Sequence, residues 1–206
     1  MGGAPTDPAR DPEAPLPVPL AELERRALGC VACPLSQTRT QVVFGVGDPN
    51  ADLMFVGEAP GHDEDVVGEP FVGRAGKLLT QMINEIGLSR PDVYIANVLK
   101  CRPPGNRDPE ATEISTCRPF LEGQIDAIDP KVVVPLGNFA ARLLLDTKEG
   151  ITRLRGREHP WRDGRILIPT FHPSAVLRQR GEALAQMRAD FVLVKRALRA
   201  VRAVRT

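Results

Sequence analysis

Apolar residues fall along this chain in two rhythms. Four short and nearly unbroken runs, residues 52–56 (DLMFV), 92–99 (DVYIANVL), 131–136 (KVVVPL) and 165–170 (RILIPT), are bounded by turn residues and read as strands buried on both faces. Around them apolar positions recur at helical spacing. Leu20, Leu23, Ala27 and Leu28 precede Gly29, residues 77–86 run amphipathically to Gly87, and Phe120, Leu121, Ile125 and Ile128 share one stripe. A further helix follows Gly137-Asn138 through Leu145, and a last one, residues 182–202, carries Leu184, Met187, Phe191, Val194, Leu198 and Val201. Strands alternating with helices predict an α/β protein, a three-layer α/β/α arrangement around a central four-stranded, mainly parallel sheet. Residues 41–44 are expected as one more short strand, Asp108 as a helix cap with Pro109 in the first turn, and Pro119 as a kink or division of that helix.

One connection breaks the rhythm. Residues 57–76, GEAPGHDEDVVGEPFVGRAG, join the first strand to a helix through about twenty residues, where ~4 to 6 is usual, and loops of this length are functional or disordered. Five glycines and a single aromatic, Phe71, make it too specific for disorder, and it leaves the C-terminal end of a strand, where open α/β sheets bind ligands.

Composition narrows the class. Residues 1–17, MGGAPTDPARDPEAPLP, have almost nothing to bury and are expected to form a flexible tail before a single domain over residues 18–206. The longest apolar runs fall far short of the ~20 residues of a membrane span, and no secretory leader opens the chain, so a cytoplasmic protein without membrane contact is expected. Net charge is +1, yet residues 151–206 hold thirteen Lys and Arg against four Asp and Glu. That basic quarter suits either a phosphate-facing surface or a solvated charged face.

All four cysteines fit one site. Cys30 and Cys33 form a CxxC turn after a helix, and Cys101 and Cys117 flank the turn-rich CRPPGNRDP. Four thiolates suit a tetrahedral zinc or an iron-sulfur cluster, and spacing does not choose between them. Disulfides would want an oxidising compartment, and a redox CxxC would open a helix after a strand.

Placed on a parallel sheet, Glu58, the Phe71 loop, Asn97 and His172 all fall at or just after strand ends and converge on one edge. An aromatic face, an amide that both donates and accepts, a His and backbone N–H groups are what a flipped pyrimidine needs. Each also has a plainer role: Phe71 in the core, Asn97 in a turn, His172 as a cap before Pro173, Glu58 as a loop carboxylate.

Together these segments resemble a family 4 uracil-DNA glycosylase, the iron-sulfur branch of that superfamily. The resemblance runs from about Leu20 to the C-terminus through CVAC, GEAPG, GEPFVGRAG, ANVLKCRPPGNRDP, TCRPFLEGQI, VVVPLGNFA and FHPSAVLR, in that order. It implies a monofunctional enzyme of base excision repair that hydrolyses the N-glycosidic bond of deoxyuridine, in single- or double-stranded DNA, as a monomer. It also implies a 4Fe-4S cluster on Cys30, Cys33, Cys101 and Cys117. Uracil would lie against Glu58, Ala59, Pro60, Phe71, Asn97 and His172, with Phe71 stacking, Asn97 reading the polar edge, His172 stabilising charge on O2, and Glu58 positioning or handling water. Superfamily relatives with an Asp general base have it where this chain has Ala59, and Gly61 stands where they carry a methyl-excluding Tyr; Glu64 or Asp65 is expected to exclude thymine instead. Val176 or Leu177 would fill the emptied base stack, alternatively beginning a buried helix turn, with Arg178 and Arg180 on phosphates. Lys100 and Arg102, with Arg107 and Arg118, would face DNA. Other classes remain: a non-catalytic uracil-DNA binding module, a covalent one, disfavoured because CRPPGNRDP lacks His, or an iron-sulfur redox protein, which leaves GEAPG and HPS without a purpose.

Overall fold

The structure, a computed structural model, describes residues 17–179 and 181–203. The expected tail at 1–17 therefore lies outside the described residues except for Pro17, and Arg180 lies outside them as well.

Helix α1 (Leu20–Leu28) leads, through the cysteine turn, to β1 (Val46–Gly47) and β2 (Leu53–Gly57). Then come α2 (His62–Val67), α3 (Arg74–Glu85), β3 (Tyr94–Asn97), α4 (Ala111–Ile128), β4 (Val132–Pro135), α5 (Asn138–Leu145) and α6 (Ile151–Leu154). β5 (His159–Pro160), β6 (Ile166–Leu167), α7 (Pro173–Gln179) and α8 (Glu182–Ala203) complete the chain. Among the described residues the strands form one six-stranded sheet in the order β1-β3-β2-β4-β6-β5. The four inner strands are parallel and are those expected; each edge adds an antiparallel strand of two residues.

Side-chain alternation builds the three layers. Leu53, Phe55, Val132 and Val134 point to one face, where α3, α7 and α8 bring Leu79, Val176, Met187 and Phe191; the Phe55 and Phe191 rings stack at 5.6 Å. Met54, Val56, Ala96 and Val133 point to the other, under Leu23 of α1 and Leu121 and Ile125 of α4. Each such side chain, fully buried, stabilises by about 1.5–3 kcal/mol.

Several local expectations are corrected. Residues 41–44 form no strand; Val43 makes one ladder-like bond, N–H to the Lys100 carbonyl at 2.8 Å. The long connection contains α2, because the Glu64 carboxylate folds back onto the N–H groups of Gly61 (3.1 Å), Val72 (3.0 Å) and Gly73 (3.1 Å). Helix α4 starts after Glu110 rather than Asp108: buried Glu113 accepts the Glu110 N–H at 2.9 Å and holds Arg107 through two bonds. It then runs through Pro119 without dividing, since Leu121, Ile125 and Ile128 keep its apolar stripe buried beyond that position.

Candidate active site

The C-terminal ends of the parallel strands open into a cleft of about 640 Å³ lined by Glu58, Phe71, Asn97, His172 and Arg178, among others. The sheet register sets its floor: Gly57 and Asn97 are paired neighbours on β2 and β3. A Cβ at Gly57 would lie 2.3 Å from Asn97 Oδ1 and 2.6 Å from Phe71 Cζ, so only glycine lets both groups approach. Asn97 is buried, and its Oδ1 has no hydrogen-bond partner among the described residues. An orphaned buried acceptor is costly and points to a missing donor.

Phe71 stands beside it at φ 55°, the left-handed region that bulky residues avoid. Arg90 holds that turn, donating to the Pro70 carbonyl at 2.8 Å and the Phe71 carbonyl at 3.2 Å. Phe71 belongs to the core cluster and also lines the cleft.

His172 closes the far side, its ring centroid 5.7 Å from that of Phe71. It precedes α7 as a cap: its carbonyl accepts the Ala175 N–H at 2.9 Å and its Nδ1 accepts the Ser174 N–H at 3.2 Å. Gly137, at φ 93°, makes room for it, since a Cβ there would stand 2.8 Å from His172 Cβ. An acceptor Nδ1 places the proton of the neutral ring on Nε2. Burial, reinforced by the Arg178 charge and opposed by Glu64, pushes the imidazole down to about 4, so it is neutral at physiological pH. Glu58 lines the same cleft; burial, and then the nearby Asp108, raise its pKa.

Ala59 and Pro60 line the cleft behind Glu58, and Arg102 sits outside it, bonded to Asn106 Oδ1 at 2.7 Å. Three expectations fail on burial or pairing. Lys100 does not face DNA: it is 1 % exposed, donating to the Asn97 carbonyl at 2.7 Å and to Gln124 Oε1 at 2.5 Å. Val176 is buried in the core beneath α7 and is no wedge; Leu177 is only partly buried. Asp65 is buried and accepts the Thr40 N–H at 2.9 Å, so it does not reach a methyl group, whereas Glu64 lines the cleft with its carboxylate fixed on the Val72 and Gly73 N–H groups. Arg90 and Ser174, which hold Phe71 and His172, were missed by sequence reasoning; the HPS triplet carried the signal for Ser174, whereas nothing local marked Arg90.

Cys30, Cys33, Cys101 and Cys117 are all free thiols and line one small void between α1, α4 and the segment after β3. Arg39 donates to Cys101 Sγ at 3.2 Å and to the Cys30 carbonyl at 2.7 Å, and the Lys100 N–H donates to Cys117 Sγ at 3.2 Å. Among the described residues, no three of His, Cys, Asp and Glu are grouped to hold a single metal ion.

Fold and site together define a three-layer α/β protein with a cleft at the C-terminal edge of its sheet and a separate four-thiol box. The family model described as the uracil DNA glycosylase superfamily matches residues 44–199. A type-4 uracil-DNA glycosylase of Thermotoga maritima is 48 % identical over 166 residues, 80 % of this chain and 86 % of that protein. One of Archaeoglobus fulgidus is 46 % identical over 179 residues, 84 % and 89 % of the two chains. A type-5 uracil-DNA glycosylase of Thermus thermophilus is 31 % identical over 164 residues, 70 % and 74 %. This chain belongs to the uracil DNA glycosylase superfamily and, within it, to the type-4 uracil-DNA glycosylases.

Proposed function

We propose that the protein removes uracil from DNA by hydrolysing the N-glycosidic bond of deoxyuridine, leaving an abasic site for base excision repair. One observation carries the reading: the unpartnered Asn97 Oδ1, buried against Gly57 and beside the Phe71 ring. The imide edge of uracil offers an N3–H donor next to the O4 acceptor, matching Oδ1 and Nδ2 of one amide. Cytosine presents an acceptor at N3 and an amine at C4, which leaves like groups facing each other and is rejected strongly by a site built on hydrogen bonds. Phe71 stacks on the flipped base, and Glu58, Ala59 and Pro60 form the wall around it.

As the C1′–N1 bond breaks, its electron pair moves onto uracil and negative charge gathers on O2, while the sugar takes oxocarbenium character. His172, neutral with its proton on Nε2, stabilises that oxygen by donating a hydrogen bond and keeps its proton. Losing one such donor costs roughly 10²–10³ in rate. Water adds to C1′; Glu58, with Asp108 nearby, orients it and receives its proton. Arg102 and Arg178 face the DNA backbone, and Leu177 takes the space left by the flipped base.

Cys30, Cys33, Cys101 and Cys117 would hold a 4Fe-4S cluster. The donor set fits: four free thiols line one void, two of them receiving N–H bonds. When bound, the cluster supplies a cross-link between the CxxC turn and the Cys101–Cys117 segment. No described helix is long and apolar enough to cross a membrane.

Release of free base from oligonucleotides bearing one uracil, thymine or cytosine tests the reading. Uracil alone should be released, with alkali-sensitive cleavage of the strand at that position. Tight binding of uracil-DNA without release would leave a binding module and sink the enzyme.

A further inference from the structure

Lys100 stands three residues after Asn97 and one before Cys101. Lysine is almost never fully buried unless paired, yet no carboxylate among the described residues is bonded to its Nζ, which instead donates to the Asn97 carbonyl at 2.7 Å and Gln124 Oε1 at 2.5 Å. Gln124 is itself fixed, its amide donating to the Phe44 carbonyl at 2.9 Å and to Tyr94 Oη at 3.2 Å. The Lys100 backbone is engaged in two further directions, its N–H to Cys117 Sγ at 3.2 Å and its carbonyl from the Val43 N–H at 2.8 Å. One residue thus joins the end of β3, the middle of α4, the segment before β1 and the thiol box.

Building on the proposed function, we infer that Lys100 is a positioning residue for base reading, tying the Asn97 peptide to the thiol box so that Oδ1 stays aimed at the base. Asn97 is the last residue of β3; beyond it the Val98 and Leu99 N–H groups still donate to the Gly57 and Glu58 carbonyls at 2.9 and 3.0 Å, and the Asn97 carbonyl is the one that Lys100 takes. The ammonium holds the carbonyl of that peptide and thereby sets the direction in which the Asn97 side chain leaves the backbone. Tolerance is small, because Oδ1 is already packed against Gly57. A misplacement of ~1 Å at such a group costs on the order of 10²-fold.

The test uses the purified holoenzyme and a Lys100→Met variant, which keeps the apolar stem and loses the donors. Iron and sulfide per chain, free-uracil affinity by calorimetry, and kcat/KM on uracil-DNA are measured together. The expected result is iron content close to wild type with uracil affinity and kcat/KM each lowered roughly 10- to 100-fold. Unchanged uracil affinity, or a loss that only follows lost iron, would overturn the inference and leave Lys100 a structural support for the thiol box. If Lys100→Met does not fold, Gln124→Leu, which frees the ammonium from its second anchor, should lower uracil affinity in the same direction; no change there also overturns it. Free-uracil affinity reads Lys100 without excision, whereas a wild type that released no uracil from DNA would fail the glycosylase reading instead.

Discussion

Asn97 carries a buried acceptor that a donor entering the cleft would satisfy. A buried acceptor without a donor destabilises by about 1–3 kcal/mol, so Asn97→Leu should leave the fold as stable or more stable in a urea titration while abolishing uracil affinity. A clear loss of stability would mean that the amide serves the fold. Phe71 stores a similar cost in its left-handed backbone, ~1–3 kcal/mol, which the Arg90 bonds hold in place. His172 gives a pH signature. Its imidazole is lowered from 6.5 to about 4 in the folded protein. Between those values the unfolded chain binds more protons, so stability falls as pH drops through this window. His172→Gln should flatten that part of the stability profile, by no more than about 3 kcal/mol. His172 stays in its working, neutral form down toward pH ~5, so loss of excision on the acid side should follow protonation of Glu58, whose pKa burial raises; activity that disappeared as pH rose through 6.5 would instead indicate an imidazolium acid.

At the scale of elements, α7 separates two neighbours that look alike in sequence. Val176 faces the core and Leu177 lies half out of it. Val176→Ala should therefore cost roughly 1–3 kcal/mol of stability. Leu177→Ala should leave the melting temperature nearly unchanged and slow excision from duplex more than from single-stranded DNA, read in parallel single-turnover assays. The inner strands and most helices were legible because long apolar runs and helical stripes are local signals. The edge strands were not: Val46–Gly47 and His159–Pro160 hold two residues each and exist through pairing with β3 and β6. Helix α2 was hidden for a related reason, since one carboxylate, Glu64, reaches over eight residues to close it. The cleft itself could be read from GEAPG, Asn97 and HPS, which end strands. Burial of a charged residue could not, and Lys100 was placed on the surface because its partners Asn97 and Gln124 meet it only after folding.

Across the whole molecule, the uneven charge of the sequence is matched internally. Arg202 pairs with Asp52, Arg188 with Glu85, Arg165 with Asp129 and Arg157 with Glu149, so part of the basic C-terminal quarter is paired with the acidic remainder. Apart from that of buried Arg165, these pairs have an exposed arginine and contribute ~0–1 kcal/mol each; Arg178 instead lines the cleft. The thiol box lies along the chain from the cleft by four residues, Asn97 to Cys101. Cys117→Ser should lower both iron content and melting temperature, with uracil affinity falling alongside; full uracil affinity in iron-free, folded protein would separate the two sites. The most direct test of the whole account is the single-turnover rate of uracil release from a labelled oligonucleotide, wild type against His172→Ala, with substrate binding measured in parallel. The account predicts release that falls roughly 10²–10³-fold in the variant with binding nearly retained. Equal rates in the two proteins would contradict it.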